Sequence, residues 1–133
     1  MRHAVLIALA AAALAISFRA EAAETAAQKS SDRGVTVAVT PQNLAASARS
    51  WDFKVVLDTH SGELNDDLLK TATLLDEKGG RRVPAQWEGA GPGGHHREGV
   101  LSFKPVSPAP ATIELQIRRA GEENPRSFRW QLK

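Results

Sequence analysis

The side chains best suited to chemistry are three histidines in two short turn-like segments. One segment is Asp58-Thr59-His60-Ser61-Gly62, and the other is Gly93-Gly94-His95-His96. The chain has no cysteine and shows no glycine-rich phosphate loop. Imidazole and carboxylate groups are common ligands of zinc and divalent copper. The two segments therefore predict a small metal site if the fold brings them together.

The predicted ligands are Asp58, His60, His95 and His96. Asp58 and His60 are two residues apart, so an extended chain turns both side chains to the same side. His95 and His96 are neighbours, and a glycine-rich loop can turn both toward one ion. The chain has no thiolate, and its only methionine is Met1 in the predicted leader. A soft site for monovalent copper is thereby excluded, and Zn²⁺, Cu²⁺ or nickel remain as cofactors.

The same residues also fit a role without a metal. Asp58 can cap a turn through its carboxylate, and His60 can hydrogen-bond within that turn. The segment 91–96 can be a loop tip whose histidines are simply polar. Under this alternative the chain is a structural or protein–protein interaction module. Its histidines then serve only loop hydrogen bonding.

Catalysis is the function class with the least support. Ser61 and Ser102 lie in no nucleophile-elbow pattern. Asp58 with His60 would at most orient an imidazole as a base. A sandwich of this size also leaves little room for a substrate pocket. We expect no catalytic residues and no enzyme activity, with a hydrolytic or metal-assisted reaction as the remaining alternative.

The first residues have the pattern of an export signal. Arg2 precedes an apolar run over 4–17, and Ala20-Glu21-Ala22 supplies the small residues that signal peptidase recognises. We predict a signal peptide over 1–22; the alternatives are cleavage after Ala23 and an uncleaved anchor. The apolar run is shorter than the ~20 residues of a membrane span. The processed protein is therefore expected to be exported, periplasmic or secreted, and not membrane-spanning.

The charge balance indicates no nucleic-acid partner. The chain has 17 basic and 15 acidic residues, for a net charge of +2, and losing the leader's two arginines and one glutamate lowers it to +1. Such a balance provides no basic face for nucleic acid. We expect a divalent metal ion or a protein as partner. Four arginines near the C-terminus are predicted to face solvent: Arg118, Arg119, Arg126 and Arg129.

The processed chain is predicted to be all-β. After a flexible segment over 23–33, apolar and polar residues alternate with period two, and turn residues separate the runs. We predict an immunoglobulin-like antiparallel β-sandwich of about seven strands over 34–133. Val83, Ala85 and Trp87 are expected to alternate inward, and 88–98 to form a long loop. The aromatic core is predicted to contain Trp51, Phe53, Phe128 and Trp130.

The two histidine segments belong to a pattern that resembles a known family. The pattern consists of Val56-Leu57-Asp58-Thr59-His60-Ser61, Trp87, Gly93-Gly94-His95-His96 and Gly99-Val100-Leu101-Ser102-Phe103. It resembles small, uncharacterised exported β-sandwich proteins of bacteria and archaea with the signature LDTHS…W…GGHHxxGxLSF. The resemblance spans 35–132. It implies that both histidine segments are parts of one signature, and it implies no reaction.

Overall fold

The computed structural model describes residues 26–132, so the predicted signal peptide over 1–22 lies outside the described residues. Within that range the chain forms nine strands and one short helix, and no helix there is long and apolar enough to cross a membrane. The elements are β1 (Gln28–Asp32), β2 (Val35–Asn43), β3 (Trp51–Thr59), α1 (Leu68–Thr71), β4 (Ala72–Asp76), β5 (Arg81–Arg82), β6 (Gln86–Gly89), β7 (His96–Phe103), β8 (Thr112–Ile117) and β9 (Arg126–Gln131).

The strands pair into two antiparallel sheets. Sheet A has the order β1-β2-β3-β7-β6, and sheet B has the order β5-β4-β8-β9. Every second residue of β3 is buried, while the residues between them face outward. The same alternation runs through β2, β8 and β9, which is the pattern of sheets with one face on a shared core. The predicted antiparallel β-sandwich is thereby confirmed.

The core lies where the inner faces of the two sheets meet. The ring of Phe53 is edge-on to that of Phe103, with centroids 5.8 Å apart, and lies 5.5 Å from the ring of Trp130. Because the chain has no cysteine to form disulfides, burial of such side chains must supply most of its stability. The four aromatic residues predicted for the core, Trp51, Phe53, Phe128 and Trp130, are all buried.

One side of the sandwich is closed by β1, which lies within the segment 23–33 that was expected to be flexible. β1 pairs with β2 along its whole length. The side-chain amide of Gln28 donates to the carbonyl of Arg129 and accepts from its N–H, as a paired strand would. The indole of Trp130 donates to the carbonyl of Ala26 at 3.0 Å. At the outer edge of β9, the main-chain groups of Arg129 are therefore bonded to β1, and Trp130 is bonded to the residues before β1.

The opposite side is formed by one segment, 81–89, that passes from sheet B to sheet A. Its first part, β5, pairs with β4 in sheet B, and its last part, β6, pairs with β7 in sheet A. Residues 83–85 cross between the two sheets. The crossing corrects the prediction for this segment, because Val83 is 76% exposed and Ala85 is exposed too. Pro84 is buried instead, so the residues on either side of it face outward rather than inward. Only Trp87 packs against the core as expected.

Two glycines let the ring of Trp87 lie across sheet A. Gly89 of β6 is paired with Gly99 of β7. A Cβ atom on Gly99 would lie 2.6 Å from two atoms of the Trp87 ring, and one on Gly89 would lie 2.4 Å from the Cα of Gly99. Both positions therefore require glycine. Because β6 ends at Gly89 and β7 begins at His96, the predicted loop over 88–98 is reduced to the six residues 90–95.

Candidate functional site

The two histidine segments lie side by side at one end of the sandwich. β3 ends at Thr59 and β7 begins at His96, and the antiparallel register places Asp58 opposite His96. Beyond this last pair, the main-chain N–H of Thr59 donates to the carbonyl of His95 at 2.9 Å. The glycine loop thus extends the pairing of the two strands past the end of the sheet.

A second set of main-chain hydrogen bonds fixes the loop before β7. The N–H of Gly93 donates to the carbonyl of Leu64 at 2.8 Å, and the N–H of Leu64 donates to the carbonyl of Gly94 at 3.0 Å. Gly93 and Gly94 have φ values of +112° and +76°, which side chains disfavour. The Leu64 side chain is fully buried in the core. The glycine pair therefore allows the loop to dock on an anchored segment.

The bend at His60 results from the hydroxyl of Thr59. This hydroxyl lies 2.7 Å from the carbonyl of Ser61 and 3.1 Å from the carbonyl of Gly34, both within donating distance. It also accepts from the N–H of Ser61 at 3.3 Å. Such local bonding favours a turn over an extended chain. The extended geometry expected for Asp58 and His60 therefore stops at Thr59, and His60 lies in an exposed bend.

The side chain at the centre of this end is Arg97, which is not among the predicted site residues. Arg97 is only 2% exposed. Its guanidinium donates to the main-chain carbonyls of Leu64 at 3.2 Å, Asp66 at 2.6 Å and Ala90 at 3.1 Å. Its guanidinium carbon also lies 5.8 Å from the centroid of the Trp87 ring. Arg97 thus links the loop after β3 to the loop after β6.

Buried ion pairs continue from Asp66 toward sheet B. The carboxylate of Asp66 accepts two hydrogen bonds from Arg119, at 2.9 Å and 3.1 Å. Glu122 accepts from both Arg119 and Arg126, and its hydrogen bonds from Arg126 lower the pKa of its carboxyl below the ordinary value. The side chains of Arg119 and Arg126 are 14% and 3% exposed. The prediction that these two arginines face solvent is therefore wrong, because each is drawn inward by buried acceptors.

The alternation of inward and outward positions along the strands indicates that two of these cations are buried. Arg97 shares the inward phase of Leu101, and Arg126 shares the inward phase of Phe128. A charged residue at an apolar position of an alternating strand indicates a buried, hydrogen-bonded charge, because an unpaired one would cost too much free energy. Periodicity alone does not reveal the acceptors, which come from distant loops.

The side-chain contact between the two histidine segments lies on the outer face of sheet A. Nδ1 of His96 is 2.5 Å from Oδ1 of Asp58, and Nε2 of His96 is 3.9 Å from Oε2 of Glu98. Glu98 also binds Lys54, with 2.8 Å between Oε1 and Nζ. Each of these four side chains is about half exposed. We call Asp58, His96, Glu98 and Lys54 the outer-face row.

Two groups of the outer-face row have shifted proton affinities. The hydrogen bond and the negative charge of Asp58 raise the pKa of His96 above its ordinary value. The hydrogen bond and the positive charge of Lys54 lower the pKa of Glu98. The outer-face row therefore favours the protonated form of the His96 imidazole.

Of the four predicted metal ligands, the structure pairs the side chains of Asp58 and His96. His95 is joined to the other segment through its carbonyl, and the side chains of His60 and His95 are exposed. Within residues 26–132, no three His, Asp or Glu side chains are arranged to hold a metal ion. No protein family, curated protein or solved structure matches this chain.

We expect the pKa of His96 in the folded protein to lie above its ordinary value of 6.5, because Asp58 favours the protonated imidazole. Its contribution to folding stability is then complete below the pKa of the unfolded chain and is lost as pH rises through the folded pKa. Asp58→Asn should lower the His96 pKa, as measured by NMR titration of the ring. Asp52→Asn, on the same strand, should not. A His96 pKa unchanged by Asp58→Asn would contradict the pairing.

Proposed function

We propose that the chain is a small exported interaction module that contacts a protein partner through one side of its sandwich. The observation that supports this proposal is the difference between the two sides. On one side, the edge strands β1 and β9 are joined by hydrogen bonds of Gln28 with Arg129 and of Arg126 with the carbonyls of Ser30 and Asp32. On the other side, the segment 81–89 forms the edge of both sheets, and no strand of the described residues lies beyond it. Exposed sheet edges offer unpaired main-chain groups to other chains and are a common mode of protein recognition.

The surface of the open side supports a selective contact. Val83 projects from it with 76% of its surface exposed. Pro84 provides no main-chain N–H, and Arg81 and Arg82 place charges beside it. Proline and charged residues on an edge strand oppose indiscriminate strand pairing. The combination of an apolar projection and a guarded edge favours one partner over general aggregation.

The histidine segments have a supporting role in this proposal. Their main-chain hydrogen bonds hold the loop 90–95, which directly follows β6. Within that loop, the carbonyl of Ala90 accepts from both Arg97 and the indole of Trp87. The loop 90–95 is therefore held at both ends, by its bonds to the other histidine segment and by the bonds to Ala90 at the end of the open edge strand.

Export is part of the same proposal. The basic start, the apolar run over 4–17 and the small residues of Ala20-Glu21-Ala22 support a signal peptide over 1–22. A periplasmic or secreted location would place the partner outside the cytoplasm. A protein without cysteine needs no oxidative folding there.

A photo-crosslinking amino acid at position 83 of the full chain should form one discrete adduct when the protein is produced in its own host. We expect this because Val83 is the exposed apolar side chain of the segment 81–89. The control is the same amino acid at Lys29, which is exposed on the closed side. Mass spectrometry identifies the adduct. Absence of an adduct at position 83, or the same adduct from position 29, would contradict the proposed surface.

We propose weak binding of a divalent transition metal as a second candidate function, supported by the outer-face row. A metal-binding histidine commonly donates its other ring N–H to a carboxylate, which orients the ring. Asp58 is placed to accept from Nδ1 of His96 in this way. Nε2 of His96 and Oε2 of Glu98, 3.9 Å apart, would then be the donors. With metal–ligand distances of ~2.0–2.2 Å, one Zn²⁺ can reach both atoms. Two donors imply weak affinity unless His60 or His95 turns inward to add a third.

Titration of Zn²⁺ or Cu²⁺ into the protein tests this second candidate. We expect His96→Ala to abolish binding and Lys54→Ala to strengthen it, because the latter releases Glu98 from its ion pair. A His60→Ala/His95→Ala double variant measures any contribution from the two loops. Calorimetry gives the affinities. Equal affinity of the His96→Ala variant and the unaltered protein would rule the site out.

A further inference from the structure

A groove on the open side combines positive charge with apolar surface. One wall is formed by residues 81–85, and the other by Lys104, Pro105 and Ser107. Its volume is about 610 Å³. The exposed side chain of Val83 lines it, so the groove offers an apolar contact. We call this feature the basic groove.

Two of the three cations of the basic groove lack an acidic partner in the described part of the chain. Arg82 is paired with Asp76 at 3.1 Å. No carboxylate of residues 26–132 lies within 4.0 Å of Arg81 or Lys104. Unneutralised charge of one sign in a concave surface attracts a partner of the opposite sign. The charge of the groove therefore favours a ligand with negatively charged groups.

A second depression on the surface differs from the basic groove in its charge. It has a volume of about 440 Å³ and is lined by residues of β4, β8 and β9 and by Glu77, which follows β4. Its three acidic groups already have partners. Asp76 pairs with Arg82, Glu114 pairs with Arg129, and Glu77 accepts from the N–H groups of Ala111 and Thr112. It therefore offers no free charge to a ligand, unlike the basic groove.

The backbone beside the basic groove favours an extended ligand. The segment 81–89 is itself extended on both sides of its crossing, with two residues paired in sheet B and four in sheet A. In an antiparallel edge strand, alternate residues turn their main-chain groups away from the sheet. An extended ligand places side chains on one face about 6.6 Å apart, at ~3.3 Å per residue. An extended ligand that follows the segment 81–85 can thus present successive side chains to the groove.

We propose that the basic groove binds an extended acidic segment of a partner protein. Carboxylates of the segment contact Arg81 and Lys104, and an apolar side chain between them packs on Val83. This inference rests on the proposed interaction function and specifies the chemistry of the partner. Arg82 stays with Asp76 and contributes long-range attraction.

A synthetic peptide with the repeat Asp-Ser-Val-Ser tests the proposal, because every second residue of an extended chain lies on one face, so aspartate and valine alternate on that face. A peptide with the repeat Lys-Ser-Val-Ser is its counterpart. We expect the acidic peptide alone to bind, to shift the amide NMR signals of residues 81–89, and to bind more weakly as salt is raised. Arg81→Glu/Lys104→Glu should lower the affinity at least tenfold. The matched control, Lys29→Glu/Arg49→Glu, changes the net charge equally at exposed positions elsewhere and should leave the affinity within about twofold. Val83→Ser tests the apolar contact without a change of charge and should also weaken binding.

Several results would overturn the acidic-segment proposal. The first two are equal binding of both peptides and equal losses of affinity in the two double variants. Equally tight binding of a single-stranded oligonucleotide would also overturn it. So would concentration-dependent NMR shifts of residues 81–89 without peptide, because these would indicate that a second copy of the chain binds there. A crosslink at position 83 without binding of the acidic peptide would overturn only the partner chemistry. Peptide binding without a crosslink would support the groove and count against the proposed cellular contact.

Discussion

The guanidinium of Arg97 is the interaction on which the functional end of this sandwich depends. A buried charge is costly unless its donors are satisfied, and Arg97 meets this requirement with carbonyls of Leu64, Asp66 and Ala90. These acceptors belong to two loops that are distant in sequence. Removing the side chain would leave the carbonyl of Asp66 without this hydrogen bond, at a cost of about 1–3 kcal/mol. The carbonyls of Leu64 and Ala90 would keep only their bonds from Gly93 and from the indole of Trp87. One side chain therefore stabilises the loop after β3 and the loop after β6 together.

The same end contains a second, largely buried cation, Arg119, and Asp66 connects it to Arg97. The main-chain carbonyl of Asp66 accepts from Arg97, while its carboxylate binds Arg119 and thereby joins the pairs made by Glu122. Arg126 completes this network on the closed side, where it donates to three main-chain carbonyls, those of Ser30, Asp32 and Val35. Charges and hydrogen bonds thus hold the end where the histidine segments meet, whereas apolar packing holds the centre of the sandwich.

The architecture could be predicted from residue alternation, and the site only in part. The aromatic core followed from phase, because Trp51, Phe53, Phe128 and Trp130 occupy apolar positions of their strands. The crossing at 83–85 could not be predicted, since one inward proline reverses the phase there. The chemical types at the site were evident, but the Asp58–His96 pair depends on the register of β3 with β7, which are 38 residues apart at this point. The acceptors of Arg97 are main-chain atoms, so no residue type marks them.

Hydrogen exchange at the joined loops tests the central role of Arg97 most directly. The amides of Thr59, Leu64 and Gly93 donate to the partner loop and should exchange slowly in the unaltered protein. In Arg97→Met, which preserves much of the side-chain volume, our account predicts that these three amides exchange at least about tenfold faster, while those of β8 change less. Unchanged exchange at Thr59, Leu64 and Gly93 in Arg97→Met would contradict it.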